Sequence, residues 1–356
     1  MRGTISQRIL QVGGLVLFLS SETVASTDEA IAQAARILKS EGIVAFPTET
    51  VYGLGARFDS EKAIERIFVA KGRPDDNPLI VHISHPDELS VIVTEVPAIA
   101  ERLILSFWPG PLTIVLPKAP IVPKIATGGL NTVGVRMPAH PMALALIRAV
   151  GVPLVAPSAN LSGRPSPTSA LHVKDDLAGR IDAILDGGDT EVGLESTVVS
   201  VAKNRITILR PGSVTREMLE DIGQVHVAAN PLDPNHAPAA PGMKYVHYAP
   251  RAQVSLFVGQ AIKKLPEFAH RLQQQGAAIA VVAFEDTLMQ INTEIIKMPL
   301  GQRGRVDMAA KRLYAYLREA DHLSVDYILV EGIEAKGLGE ALMNRLTKAA
   351  THVFGG

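Results

Sequence analysis

Between His226 and Arg251 the chain carries Pro231, Pro234, Pro238, Pro241 and Pro250. No helix or central strand survives that spacing, because each proline lacks an amide donor and fixes its own φ. The break divides two stretches in which short β-rich runs alternate with helical patterns. Before it, strands are expected at 43–46, 79–83, 113–116, 133–137, 154–156, 197–201 and 206–209, with helices at 61–70, 97–107 and 142–150. After it, strands at 254–258, 277–284 and 327–330 alternate with helices at 261–275, 308–320 and 338–350, the order of a small parallel α/β domain. A chain of 356 residues also exceeds what one hydrophobic core ordinarily serves. The expected organisation is an N-terminal extension over 1–25, an α/β domain over 26–225, a proline-rich linker over 226–252 and a second domain over 253–356.

Composition narrows the chemistry. With no cysteine, disulfides, thiolate catalysis, iron–sulfur clusters and cysteine zinc sites are excluded. A net charge of −1 argues against a nucleic-acid coat, and an aromatic fraction of 4% leaves few platforms for stacking bases. The apolar stretch from Ile9 to Leu19, preceded by Arg2 and Arg8, is similar to a signal peptide, but it is too short and glycine-broken to span a bilayer. It is read as an extension or upstream start, and the protein as cytoplasmic with no membrane partner. Regular structure is expected to begin with Ile31, Ala34, Ala35 and Leu38, after the capping candidates Ser26 and Thr27.

No G-x-x-x-x-G-K-[ST], H-E-x-x-H or G-x-S-x-G is present, and Gly337-Leu-Gly339 runs on to Leu342 where a dinucleotide loop needs its third glycine. His82 and His85 lack a third ligand, so no protein metal site is expected. What remains is polar and cationic residues at strand ends. In Lys71-Gly-Arg73-Pro74 the proline biases Arg73 away from helix. If the segment is extended, Lys71 and Arg73 project together as a two-cation clamp for phosphate oxygens. Along 132–136, alternation places Thr132, Gly134 and Arg136 on one face and Val133 and Val135 on the core face. The turns at 47–55, 157–166 and 193–197 add hydroxyls, amides and glycines suited to an anion. Gly242-Met-Lys244-Tyr245-Val-His247-Tyr248-Ala-Pro250 is rich in groups that dock, and is expected to act as a gate over the site.

The stretches FPTETVYGLG (46–55), KGRPDDNPLIVHI (71–83), WPGPLTIVL (108–116), TVGVRMPAHP (132–141), APSANLSGRPSPT (156–168), GLESTVV (193–199), LRPGSV (209–214) and PGMKYVHYAP (241–250) together resemble the YrdC-type threonylcarbamoyl-AMP synthases in their longer, two-domain form. The resemblance runs from about Asp28 to the end, with only the first residues outside it. It implies a twisted, open mixed sheet with a concave cavity and a smaller Rossmann-like C-terminal domain. It implies an enzyme that joins L-threonine, bicarbonate and ATP, releases pyrophosphate, and works with a transferase that modifies tRNA beside the anticodon. By motif, Thr50, His82, Arg136, the Ala156 backbone and Ser196 would hold threonine, with Arg136 on its carboxylate. Lys71, Arg73, Asn77, Thr132, Ser158, Ser166 and Arg210 would hold ATP, Tyr248 would cover it, and Asn160 would support the same loop. Lys71 and Arg73 would be the catalytic pair, and Mg2+ would accompany the triphosphate on phosphate and water ligands. A double-stranded-RNA- or tRNA-binding module without catalysis is the alternative, and for the enzyme itself tRNA is expected at most as a weak partner. A hydrogenase-maturation carbamoyltransferase, which shares a related domain, is excluded by the missing cysteines.

Overall fold

Local signals start the helices where the periodicity places them. In Thr27–Lys39 the Ser26 side chain accepts from the Glu29 amide, and Ala30, Ile31, Ala34, Ala35 and Leu38 form the buried stripe. In Glu61–Lys71 Ser60 caps the first turn, and Gly72 ends the helix in the left-handed conformation (φ 59°). The computed structural model describes residues 16–20, 26–228, 248–292 and 294–355. Arg2, Arg8 and Ile9 of the expected extension lie outside them, as do Lys244, Tyr245 and His247 of the expected gate.

Among the described residues the first domain is one mixed sheet of eleven strands. They are β1 (Leu17–Leu19), β2 (Val44–Phe46), β3 (Gly53–Arg57), β4 (Ile80–His82), β5 (Leu112–Pro117), β6 (Thr132–Arg136), β7 (Leu154–Val155), β8 (Ala183–Leu185), β9 (Thr197–Ala202), β10 (Arg205–Arg210) and β11 (Gln224–Val227). Their order is β1-β8-β2-β3-β7-β4-β6-β5-β9-β10-β11. β1 falls inside the expected extension, yet it pairs in parallel with β8 and buries Leu19 completely. The apolar residues 17–19 therefore complete a sheet edge. The expected anion turn at 47–55 is also shorter than read, because Gly53 already begins β3 against β2.

Register builds the floor of a cleft. β4 and β6 run parallel with Ile80 opposite Gly134 and His82 opposite Arg136. Period-two alternation then sends Val81, Val133 and Val135 into the main core. His82 and Arg136 end up side by side at the carboxyl ends of their strands. Ala156 follows β7, Ser196 precedes β9 and Arg210 ends β10, so the polar residues converge at strand termini.

In the second domain β12 (Gln253–Phe257), β13 (Ile279–Ala283), β14 (Ile296–Pro299), β15 (Tyr327–Glu331) and β16 (His352–Phe354) form an all-parallel sheet in the order β14-β13-β15-β12-β16. Its helices Val306–His322 and Leu338–Ala349 face the first domain. Val51 and Leu194 of the first domain, with Tyr248, are buried in the same apolar cluster as Leu313, Leu317 and Leu342 of the second. A Cβ on Gly193 (φ 78°) would lie 2.6 Å from the Ala310 carbonyl oxygen, so only glycine lets the helix approach this closely. Arg318 adds a buried ion pair of 2.8 Å to Asp176 and donates to the Pro165 carbonyl.

Candidate active site

The strand ends and loops line one cleft. Among the described residues that line it, Lys71, Arg73, Arg136, Arg164 and Arg210 are cationic and Glu195 alone is acidic. From behind the wall Glu49 offsets Arg136 and Asp176 offsets Arg164, so the surplus rests on Lys71, Arg73 and Arg210 against Glu195 and favours an anion there.

At one end Arg136 is nearly fully buried. Its Nε donates to the Gly110 carbonyl at 3.2 Å and its Nη1 to Thr50 Oγ1 at 2.9 Å. Thr48 Oγ1 donates to the Val51 carbonyl, so it accepts the Thr50 proton across 2.8 Å. The chain of donors thus runs Arg136, Thr50, Thr48, Val51, and Thr50 is left with a lone pair to offer. Glu49 lies 2.6 Å from Arg136 Nη2 but off the hydrogen-bond axis, which leaves both carboxylate oxygens unsatisfied. His82 donates from Nδ1 to the Ile80 carbonyl at 3.2 Å, so Nε2 is its acceptor. Burial, reinforced by the Arg136 charge, pushes this imidazole down to about 3, and it is neutral at physiological pH.

At the other end the Lys71 ammonium, also buried, donates to the carbonyls of Ser158 and Asn160. The Asn160 amide nitrogen ties the Leu161 and Arg164 carbonyls at 2.8 and 2.9 Å, and Ser158 donates to its oxygen. Burial first, then the neighbouring Arg73 charge, pushes the Lys71 ammonium well below the usual lysine range. Arg73 Nε and Nη2 donate to the Asn77 and Pro78 carbonyls at 3.2 and 2.9 Å. Arg210 wraps Ser196, donating to its carbonyl at 3.0 and 3.1 Å and to its hydroxyl at 3.1 Å. Ser196 also meets Thr113 Oγ1 at 2.8 Å.

The sequence family described as "Telomere recombination" matches residues 36–212, and that described as "Threonylcarbamoyl-AMP synthase, C-terminal domain" matches residues 214–351. A threonylcarbamoyl-AMP synthase of Bacillus subtilis is 46% identical over 333 residues, covering 93% of this chain and 95% of that protein. A synthase of the same name from Pyrococcus abyssi is 46% identical over 326 residues, covering 89% of this chain and 93% of its own. The crystal structure of a Pyrococcus abyssi Sua5 protein complexed with L-threonine superposes with a TM-score of 0.84 at 44% identity, covering 92% of this chain and 96% of that one. The chain belongs to the threonylcarbamoyl-AMP synthase family.

Of the residues that the family motifs single out, Thr50, Lys71, Arg73, His82, Arg136, Ala156, Ser158, Asn160, Ser166, Ser196, Arg210 and Tyr248 all line this cleft. Thr132 does not: with Gly134 it lines a smaller hollow beside Pro78, Thr113 and Val198, which shares Ile80 with the cleft. Asn77 lines neither; its side chain is buried, with both amide atoms unpartnered. The clamp geometry expected of Lys71 and Arg73 also differs. Lys71 is the last residue of a helix, so strand alternation does not apply, and the Gly72 cap sets its direction. The sequence held that signal: a glycine just after an amphipathic run.

Four side chains at or behind the cleft wall escaped sequence reasoning: Glu195, which lines it, and Glu49, Tyr314 and Arg345, which bond to residues that do. Glu195 is buried and accepts from Ser166, from the Tyr314 hydroxyl at 3.1 and 3.2 Å and from Arg345 Nε at 2.9 Å. Burial alone would raise its pKa, but Arg345, Arg210 and the Ser166 hydroxyl outweigh that and hold the carboxyl down to about 2. Tyr248 stacks on Tyr314 with centroids 5.5 Å apart, at the left-handed φ of 68°.

Proposed function

We propose that this chain forms L-threonylcarbamoyladenylate from L-threonine, bicarbonate and ATP, releasing pyrophosphate. The observation that carries this reading is the charge of the cleft wall: Lys71, Arg73 and Arg210 face one carboxylate, Glu195, at one end, and a neutral histidine stands beside the Glu49-paired Arg136 at the other. The L-threonine in the Pyrococcus abyssi structure supports threonine as one substrate. Arg136 takes the threonine carboxylate, with Thr50, His82, Ser196 and the Ala156 backbone around the rest of the amino acid. Lys71, Arg73, Ser158, Ser166 and Arg210 take the triphosphate, and Tyr248 closes over it. Thr132 in its adjoining hollow and Asn77 behind the Arg73 loop support the nucleotide from outside the cleft.

The threonine amine attacks bicarbonate carbon and a carbamate forms with loss of water. A carbamate oxygen then attacks the α-phosphorus, and the bond to the pyrophosphate leaving group breaks. Lys71 and Arg73 neutralise charge that builds on the phosphates, so positioning and electrostatics supply the catalysis and no covalent enzyme intermediate is required. A carbamate is short-lived in water, so a docked Tyr248 protects it by excluding solvent. A magnesium ion accompanying ATP would supply further neutralisation of phosphate charge, and would be held by the phosphates and water more than by this chain. No group of three or more His, Asp or Glu suited to a metal occurs among the described residues, and Glu195 is already engaged by three partners.

The product is passed to a threonylcarbamoyl-transferase that modifies the adenosine beside the tRNA anticodon, in the cytoplasm. No helix among the described residues is long and apolar enough to cross a membrane. The test is incubation with ATP, L-threonine and bicarbonate, then mass spectrometry of the nucleotide. The expected result is the threonylcarbamoyl-adenylate, lost when any one substrate is omitted. Intact ATP together with tRNA binding that falls steeply with salt would replace this reading with an RNA-binding module.

A further inference from the structure

Arg345, on the second domain's last helix, is fully buried although it carries a charge. Its Nε holds Glu195, its Nη1 donates to Asn344 at 3.0 Å, and its guanidinium carbon lies 5.5 Å from the centre of the Tyr248 ring. Nη2 has no hydrogen-bond partner. A buried arginine with an unused donor is poor economy for a residue serving stability alone. What its contacts share is the cleft: Glu195 and Tyr248 both line it. The carboxylate that Arg345 orients is the acceptor of the Ser166 hydroxyl, and the ring it underlies is the one stacked on Tyr314.

We propose that Arg345 is a positioning residue for the nucleotide half of the cleft, acting through Glu195 on Ser166 and through the cation–π contact on Tyr248. This inference rests on the ATP reading above. It assigns the second domain a part in building the site. With Glu195 held from behind, the Ser166 hydroxyl has one direction to point. With the guanidinium under the ring, Tyr248 has a floor that compensates its unfavourable φ. Most of the amino-acid half lies apart from both, because Arg136, Thr50 and Thr48 are tied within the first domain; Ser196 is the one link, next to Glu195 in the chain and held by Thr113 and Arg210. The surroundings fit an anion nearby: burial, then Arg345 and Arg210, press the Lys348 ammonium down to about 8.

The decisive measurement compares Arg345→Met and Arg345→Lys with the unaltered full-length protein, recording KM for ATP, kcat and the calorimetric Kd for threonine. Loss of a charged, geometry-setting contact is expected to raise the ATP KM of Arg345→Met about tenfold or more while the threonine Kd stays within about twofold. Arg345→Lys should recover only part of the loss, since an ammonium cannot grip Glu195 and underlie Tyr248 at once. Equal weakening of ATP and threonine, or no change in either, overturns the proposal. If Arg345→Met does not fold, Tyr314→Phe decides. It keeps the stacking ring and removes one Glu195 donor, so a severalfold rise in ATP KM alone supports the proposal, and an unchanged KM overturns it. If the unaltered protein does not bind ATP, the functional reading falls, and that outcome is distinct from all of these.

Discussion

At the Arg136 end of the cleft the charges balance within the first domain: one guanidinium, one carboxylate from Glu49 and a histidine kept neutral. At the Lys71 end cations outnumber carboxylates, and the one lining carboxylate, Glu195, is held from behind by Tyr314 and Arg345 of the second domain. The difference matches the charges of the two ligands we assign. A zwitterionic amino acid brings no net charge and suits a site that is already neutral. A triphosphate brings several negative charges and suits a site held with cations in surplus.

The largest effect that would test this comparison is at Arg136. Arg136→Ala should weaken threonine by about 2–4 kcal/mol, roughly 30- to 1000-fold by calorimetry, and leave ATP binding nearly intact. It should also lower the melting temperature, because Glu49 is left buried without its cation. Adding Glu49→Gln should restore much of the thermal stability and none of the threonine affinity. Weakened ATP with unaltered threonine would reverse the assignment of the two ends.

Arg73→Ala comes next, with an expected loss of about tenfold to a hundredfold in ATP affinity and little change for threonine. The effect is smaller because Lys71 and Arg210 remain, and because Arg73 is also spent on the carbonyls of Asn77 and Pro78. A fall in both affinities would show instead that Arg73 acts as a staple for its loop.

Much of this balance was legible before any coordinates. Alternation in 132–136 put Arg136 opposite the core-facing valines, and the hydroxyl-rich turns marked three loops that line the cleft. Asn160 was read as a loop support, and its amide ties two carbonyls of that loop. What stayed hidden depends on distance along the chain. Glu195 is an unremarkable acid in sequence until Tyr314 and Arg345 reach it from 119 and 150 residues away. Nothing local in 338–350 separates a buried arginine from a solvated one. Leu17–Leu19 was missed because three residues make too short a run to show a period, and their strand partner lies beyond residue 180.

Lys71 gives a subtler test. Its ammonium is held below the usual lysine range by burial and by Arg73, and a phosphate beside it would favour the protonated form. ATP binding should therefore take up protons somewhere below the usual lysine range, and affinity should fall as pH rises through that interval. Calorimetry at a series of pH values, each in buffers of different ionisation enthalpy, counts those protons. Zero uptake with ATP would mean that Lys71 only staples the Ser158 and Asn160 carbonyls; threonine is expected to give zero in the same experiment.

The smallest expected effect concerns His82 and stability. Its pKa falls from 6.5 to about 3 in the folded chain, so between those values the unfolded chain binds the extra proton. The sign follows: the contribution of His82 to stability is complete above about 6.5 and is lost progressively as pH falls towards 3. At pH 5.5, one unit below the free value, the loss is about 1 kcal/mol relative to neutral pH. His82→Gln, which keeps a donor for the Ile80 carbonyl but cannot titrate, should flatten the denaturant-midpoint profile by about that amount between pH 7.5 and 5.5. Threonine binding by the unaltered protein should stay level over the same range, because the imidazole beside Arg136 keeps its single proton throughout. A threonine Kd that follows an inflection near pH 6 would mean that His82 charges in the folded site, and the neutral end of the comparison would no longer stand.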